Sequence, residues 1–261
     1  MWPAWIAIAL YLLAAGLLVH AYARSSTPRR AWAWMGVVGV FAHALAHALA
    51  WREAGGLDLQ FFAALSLVGL GMAALSVAYG LAGRMPALGV IVFPLAALAL
   101  LGDTLHGPGP KTALDWPLQM HAWLALLAYA TLAIAAVIAI LLWLQERALR
   151  RRDFHGWLRA LPPLAELELL LFRTIAVGFV LLTATLLSGV LFVDDLFAQH
   201  LMHKTVLSVL SWLAFGALLL GRWRYGWRGA VAVRWTLTAM ALLVLAFFGS
   251  KFVLELVLRR A

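Results

Sequence analysis

Residues 120–144, MHAWLALLAYATLAIAAVIAILLWL, contain no charged side chain and no proline. A helix that crosses the hydrocarbon core of a bilayer needs about 20 predominantly apolar residues, and this run exceeds that length. Because lipid offers the backbone no hydrogen-bond partner, an apolar run of this length folds as a helix, whose backbone bonds are all internal. The segment therefore predicts a membrane-spanning helix and sets the fold class.

Seven further segments share this apolar character, and the chain as a whole is 65% hydrophobic and 12% charged. Soluble proteins are about 45–50% apolar. The eight predicted spans are 4–22, 32–50, 61–81, 87–102, 118–144, 171–193, 203–221 and 234–256. We predict an all-α membrane helical bundle in a single integral-membrane domain over residues 1–261. The short fourth span is expected to end at Gly102, and residues 145–170 to form a cytoplasmic elbow.

Positive charge is concentrated in alternate loops. The loops after spans 1, 3, 5 and 7, together with the first residues of the helices that follow them, hold 14 of the 20 Lys and Arg residues. Cytoplasmic loops carry such an excess, so both termini are predicted to lie outside, as in a multi-pass protein of the bacterial inner membrane. The net charge of +9 then reflects arginine at the inner face in contact with anionic membrane lipid, and no nucleic-acid partner is predicted.

The histidines are concentrated toward the predicted outer ends of the spans. His43 and His47 are four residues apart in span 2 and share one helix face. His121 begins span 5 and His203 begins span 7. An ionisable side chain in a membrane is costly unless it has a partner, which makes each a candidate for function. Favourable interaction with a helix C-terminus would equally explain His47, and hydration at the interface would explain His203.

Two kinds of ligand suit these imidazoles. A divalent cation needs three or four close ligands, to which Asp194 and Asp195 could contribute. Haem needs one or two axial histidines, apolar surroundings and cations for its propionates, and the outer cations Arg52, Lys111 and Lys204 favour haem. The chain contains no cysteine, which excludes thiolate ligands. It also has no sequence motif of nucleophilic or metalloprotease catalysis, so no enzyme activity is expected.

Two stretches are similar to a known family. Residues 120–144 open with His121 and continue into a helix rich in small residues with a Tyr-Ala pair. Residues 186–229 run through Leu-Ser-Gly, an outer loop, a Lys-containing helix start, a Trp and a basic turn that ends in Arg-Gly. Both stretches resemble the haem-handling cytochrome c assembly proteins, the superfamily that includes CcsA and CcmC, and look most like its HemX and YpjD inner-membrane branch.

The resemblance implies a protein that binds or moves haem, of the b type, near the outer face of the membrane. Its partners would be haem, membrane lipid and other membrane proteins of cytochrome assembly. His121 occupies the position of the family's haem-ligating histidine. The opposite iron ligand would be His47 or His203, with His43 as a further candidate for the haem site.

The resemblance breaks at two places. Large haem-transferring members carry a tryptophan-rich WWD segment before the helix that corresponds to span 7, whereas residues 193–204, VDDLFAQHLMHK, contain no tryptophan. Those members also have a second outer histidine after the last span, and residues 254–261 contain none. We therefore expect haem binding without delivery to apocytochrome. The alternatives are a divalent-cation transporter and a regulatory membrane scaffold.

Overall fold

The structure is a computed structural model that describes residues 2–24, 26, 28, 30–54, 56, 58–107, 115–152, 161–192 and 199–257. Its eight α-helices are α1 (Trp2–Ala23), α2 (Ala31–Ala54), α3 (Phe61–Leu81), α4 (Leu88–His106), α5 (Trp116–Arg150), α6 (Leu164–Phe192), α7 (Gln199–Tyr225) and α8 (Ala230–Val244). All eight lie in segments long and apolar enough to cross a membrane, and the described residues include no strand. The predicted all-α fold with eight spans is confirmed. The orientation with both termini outside stays a prediction.

The fourth helix is longer than the sequence suggested. It continues past Gly102 to His106 and ends at Gly107, whose φ of +74° is a conformation that favours glycine. A Cβ on Gly102 would come 2.8 Å from Cδ1 of Phe62, so this glycine allows close packing against α3. The ring of His106 stacks on Phe62 with the centroids 3.8 Å apart. The prediction that span 4 ends at Gly102 is therefore wrong.

Residues on both sides of the predicted elbow belong to long helices. Helix α5 extends to Arg150, and α6 is continuous from Leu164, so residues 164–170 are the first turns of the sixth span. Residues 153–160 lie outside the described part of the chain. The cytoplasmic position of the elbow and the single domain over residues 1–261 stay predictions.

The chain forms two compact units. The first unit comprises Met1–Thr112 and Leu144–Leu167, and the second comprises Ala113–Trp143 and Glu168–Ala261. The first unit contains α1 to α4, and the second contains most of α5 and α6 with all of α7 and α8. Each unit carries its own cluster of polar side chains.

Small residues bring the helices of the first unit close together. Helix α1 packs on α2 and α4, and α3 packs on the same two helices. Alanines of α1 interleave with the buried rings of Tyr11, Trp32 and Phe93 to form the core. Gly80 leaves the space that the Trp32 indole occupies. Such small-residue contacts are the usual means by which helices associate in a membrane, where apolar burial itself provides little drive.

Hydrogen bonds between helices hold the second unit together. The Ser211 hydroxyl donates to the carbonyl of Ala239 at 2.8 Å and links α7 to α8. The Trp212 indole N–H donates to the Thr183 hydroxyl at 2.9 Å and links α7 to α6. The same indole stacks on Phe179 with the centroids 5.5 Å apart. These bonds satisfy polar groups that would otherwise be costly in lipid.

Helix α8 changes its winding before it ends. Leu245–Gly249 and Phe252–Val257 form π-helical segments, with i→i+5 hydrogen bonds in place of the i→i+4 pattern. Such wide turns are rare and occur frequently at functional sites. The first of these segments borders a cavity in the second unit.

Candidate functional site

A cavity of about 260 Å³ lies within the second unit, between α5, α6, α7 and the end of α8. Apolar side chains make most of its wall. Its polar groups come from His121, Tyr129, Thr185, Lys204, Thr205 and Ser208. His121 is near the start of α5 and Lys204 is near the start of α7, so both lie at the predicted outer end of the unit.

The His121 imidazole is held in place through a hydrogen bond with Ser188. The Ser188 hydroxyl donates its one hydrogen to the carbonyl of Thr185 at 2.8 Å. Its oxygen, 3.0 Å from Nδ1 of His121, therefore acts as the acceptor, and Nδ1 carries the ring hydrogen. The Nε2 atom then keeps its lone pair and has no hydrogen-bond partner among the described residues. An imidazole held through Nδ1–H in this way is the usual form of a metal-ligating histidine.

Gly189 provides the space for this imidazole. A Cβ on Gly189 would lie 3.3 Å from Cε1 and 3.7 Å from Nδ1 of His121. The Leu-Ser-Gly motif noted in the sequence thus has two functions at one histidine: Ser188 orients the ring, and Gly189 accommodates it. The motif drew attention to this turn of α6, but nothing in the spacing linked it to His121.

Tyr129 joins the cavity wall to the π-helical segment. Its hydroxyl donates to the carbonyl of Leu243 at 2.5 Å, just before the helix widens. Its ring meets Phe248 edge to face with the centroids 5.5 Å apart. The Leu243 carbonyl accepts the hydrogen of this buried phenol, and the bond fixes the end of α8 against α5. Sequence reasoning gave Tyr129 no role beyond its place in the Tyr-Ala pair.

The other predicted site residues in span 2 lie in the first unit and form a closed network. The Tyr11 hydroxyl, which is fully buried, donates to Nδ1 of His43 at 3.3 Å. Nε2 of His43 then donates to the Ser66 oxygen at 2.9 Å, and the Ser66 hydroxyl donates to Nε2 of His47, also at 2.9 Å. The two imidazole rings stack with the centroids 5.3 Å apart. The predicted shared helix face of His43 and His47 is therefore observed.

His203 and the predicted outer acids are placed differently. The His203 side chain is exposed on the first turns of α7 and does not line the cavity. Asp194, Asp195 and Lys111 lie outside the described residues. No group of three His, Asp or Glu side chains in the described part of the chain is placed to hold a metal ion. The pairing of His121 with His47 or His203 across an iron stays a prediction.

The comparison with protein families decides the relationship. The cytochrome c assembly protein family matches residues 8–258, nearly the whole chain. The chain belongs to the cytochrome c assembly protein family. The resemblance found in the sequence is thereby confirmed, and His121, Ser188 and the Lys204 helix start all lie within the matched region.

Three relatives match shorter stretches of the chain. The inner membrane protein YpjD of Escherichia coli is 35% identical over 53% of this chain and 52% of its own length. Protein HemX of Brevibacillus brevis is 26% identical over 51% and 49%. The cytochrome c biogenesis protein CcsA of Guillardia theta is 26% identical over 54% and 56%. The match thus spans about half the length of these curated relatives. No solved structure matches the chain.

Proposed function

We propose that this protein is a bacterial inner-membrane protein that binds or moves haem in cytochrome c biogenesis, with His121 as an axial ligand of the iron. The observation that carries the proposal is the His121–Ser188–Thr185 chain of hydrogen bonds, which leaves Nε2 of His121 with a free lone pair. Family membership supports the role, because the relative CcsA is a cytochrome c biogenesis protein. The inner-membrane relative YpjD supports the location.

The surroundings of His121 suit a haem. Haem sites combine an axial imidazole with an apolar pocket, and apolar side chains from four helices make most of this wall. The volume of about 260 Å³ is just below the roughly 300–1,000 Å³ of typical ligand pockets, so it would receive part of a porphyrin. His121 would be a reversible axial ligand of the haem iron. Ser188 and Gly189 would hold its imidazole in the required orientation.

The haem would be of the b type. Covalent attachment of haem in c-type cytochromes uses cysteine thiols, and this chain has no cysteine. A haem held without a covalent bond can enter and leave. Reversible binding is what a protein that carries haem to other membrane proteins of cytochrome assembly requires.

We further propose that the protein does no turnover chemistry and does not deliver haem to apocytochrome by itself. Residues 193–204 have no tryptophan, and they include two adjacent aspartates, Asp194 and Asp195, which would repel haem propionates. The aromatic platform implied by the resemblance is therefore missing from the sequence. Delivery would fall to another membrane protein of the assembly system.

A visible spectrum of the purified chain tests the proposal. The protein is expressed with haem supplied and purified in detergent, and the wild type should show a Soret band that His121→Ala removes. The matched control is His106→Ala, because His106 stacks on Phe62 in the first unit and should leave the band unchanged. A wild type without a Soret band, or a His121→Ala variant with the same band, would overturn the proposal.

Two further variants identify the opposite ligand. If His47 or His203 binds the iron, its replacement by Ala should shift the Soret band, and the other replacement should not. If neither shifts it, His121 is the sole protein ligand of the set.

A further inference from the structure

Lys204 is a cation on a wall made mostly of apolar side chains. It lines the same cavity as His121, and its side chain is half-buried. No carboxylate of the described residues lies within ion-pair distance of its ammonium group. A charge in such surroundings is costly unless something neutralises it. A long lysine can avoid this cost by extending to the membrane surface, but here it contributes to the cavity wall.

Two charged groups of the described residues act on Lys204, the cation Lys251 and the acid Glu255, and they are paired with each other. Glu255 accepts a hydrogen bond from Lys251 at 2.6 Å, and both of these side chains are only 20% exposed. The ammonium of Lys251 also lies over the ring of Phe247, 5.6 Å from its centroid. Because this ion pair is neutral overall, it leaves the charge of Lys204 for another anion.

Lys204 is also the outer cation that the structure singles out. The sequence offered three for this purpose. Arg52 is exposed at the end of α2 in the first unit, and Lys111 lies outside the described residues. Lys204 alone of the three is placed by the structure on the cavity wall with His121.

We propose that Lys204 binds a carboxylate of the ligand and thereby makes the cavity specific for an apolar molecule that carries a carboxylate. This inference rests on the proposed function, under which the carboxylate is a haem propionate. His121 would ligate the iron, and Lys204 would bind a propionate at the edge of the porphyrin. An ammonium group has three donors and a full charge, so it can neutralise and hydrogen-bond a carboxylate in one contact. A porphyrin without free carboxylates would lose that contact.

The test compares haem with its dimethyl ester, which keeps the iron and lacks the free acids. Both are titrated into the full-length protein in detergent, and binding is followed by the Soret band. Wild type should bind haem at least about tenfold more tightly than the ester. Lys204→Met should bind the two equally, whereas Lys204→Arg should keep the preference. The ratio between haem and ester within each variant cancels any general loss of stability.

Arg84→Met is the matched control, because it removes an exposed cation from the turn between α3 and α4. It should keep the preference for haem. If Lys204→Met keeps the wild-type preference, Lys204 only extends to the surface and the inference is overturned. If wild type binds acid and ester equally, with a Soret band that depends on His121, the inference fails while the proposed function stands. If wild type binds neither, both fail.

Discussion

His43 in the first unit and His121 in the second differ in how many of their ring nitrogens form hydrogen bonds. In the first unit, His43 uses both nitrogens in hydrogen bonds, one to Tyr11 and one to Ser66, and its side chain is fully buried. In the second unit, His121 uses Nδ1 toward Ser188 and lines a cavity. Both are histidines in membrane helices at candidate positions. Of these two histidines, His121 is the one with a ring nitrogen, Nε2, that forms no hydrogen bond within the described residues.

The difference comes from the single hydrogen of a serine hydroxyl. Ser66 lies between two imidazoles, accepts from His43 and donates to His47, so it completes a network within the unit. Ser188 gives its hydrogen to the carbonyl of Thr185 in its own helix and can only accept from His121. The hydrogen-bond partner of a histidine fixes its tautomer and ring orientation, and these differ between the two units.

The largest effect is expected from filling the space beside His121. Gly189→Leu would place a branched side chain where Cε1 of His121 lies, since even a Cβ there would be at 3.3 Å. The imidazole must move, and the Soret band of the purified protein should be lost. Gly16→Leu is the control, because nothing lies within 4 Å of a Cβ at Gly16. An unchanged band in Gly189→Leu would show that His121 binds in another position.

A smaller effect is expected from removing the orienting serine. Ser188→Ala removes the hydroxyl that orients Nδ1 of His121 and leaves the Thr185 carbonyl as the remaining acceptor. The loss of such a partner typically weakens metal affinity about 10–100-fold. Haem titration of the variant would measure it. Thr183→Ala removes another hydroxyl of α6, one that accepts a hydrogen bond from the Trp212 indole rather than from His121. This variant should leave haem affinity unchanged. Equal losses in the two variants would mean that packing of α6, rather than the His121 tautomer, is responsible.

In the first unit the corresponding serine should affect stability and leave haem binding alone. Ser66→Ala removes the shared partner of His43 and His47, so buried nitrogens lose their bonds at a cost of about 1–3 kcal/mol. Unfolding in mixed detergent micelles would measure the change. Ser76→Ala is a matched control in α3, because the Ser76 hydroxyl is buried and has no hydrogen-bond partner among the described residues. A changed Soret band in Ser66→Ala would contradict the division of roles between the units.

The smallest effect is expected at Tyr11, the residue at the other end of the same hydrogen-bond network. Tyr11→Phe removes the donor to Nδ1 of His43, and one such bond contributes about 1 kcal/mol. The ring itself remains stacked on Phe93, with the centroids 5.6 Å apart, so packing is kept. The same unfolding measurement should show this loss, with the haem spectrum unaltered. A loss as large as that of Ser66→Ala would mean that the whole network depends on the phenol.

The spans and the histidine faces followed from the sequence because apolar length and helical spacing are local properties. Eight apolar runs gave eight helices, and the i, i+4 spacing placed His43 and His47 together. The serines were missed because a single hydroxyl in an apolar helix has many causes, and its partner lies on another helix. Gly102 was misassigned for the same kind of reason, since its role is set by Phe62 on α3.

The π-helical segment at Leu245–Gly249 has a consequence for how relatives are aligned. A π turn contains about one more residue than an α turn, and each residue of an α-helix advances by about 100° around the axis. A homologous chain with one residue fewer at this place would wind as an ordinary helix, and everything beyond would rotate to a new face. Lys251 would then leave the ring of Phe247. A one-residue gap in the last span would therefore mark relatives whose cavity has a different wall.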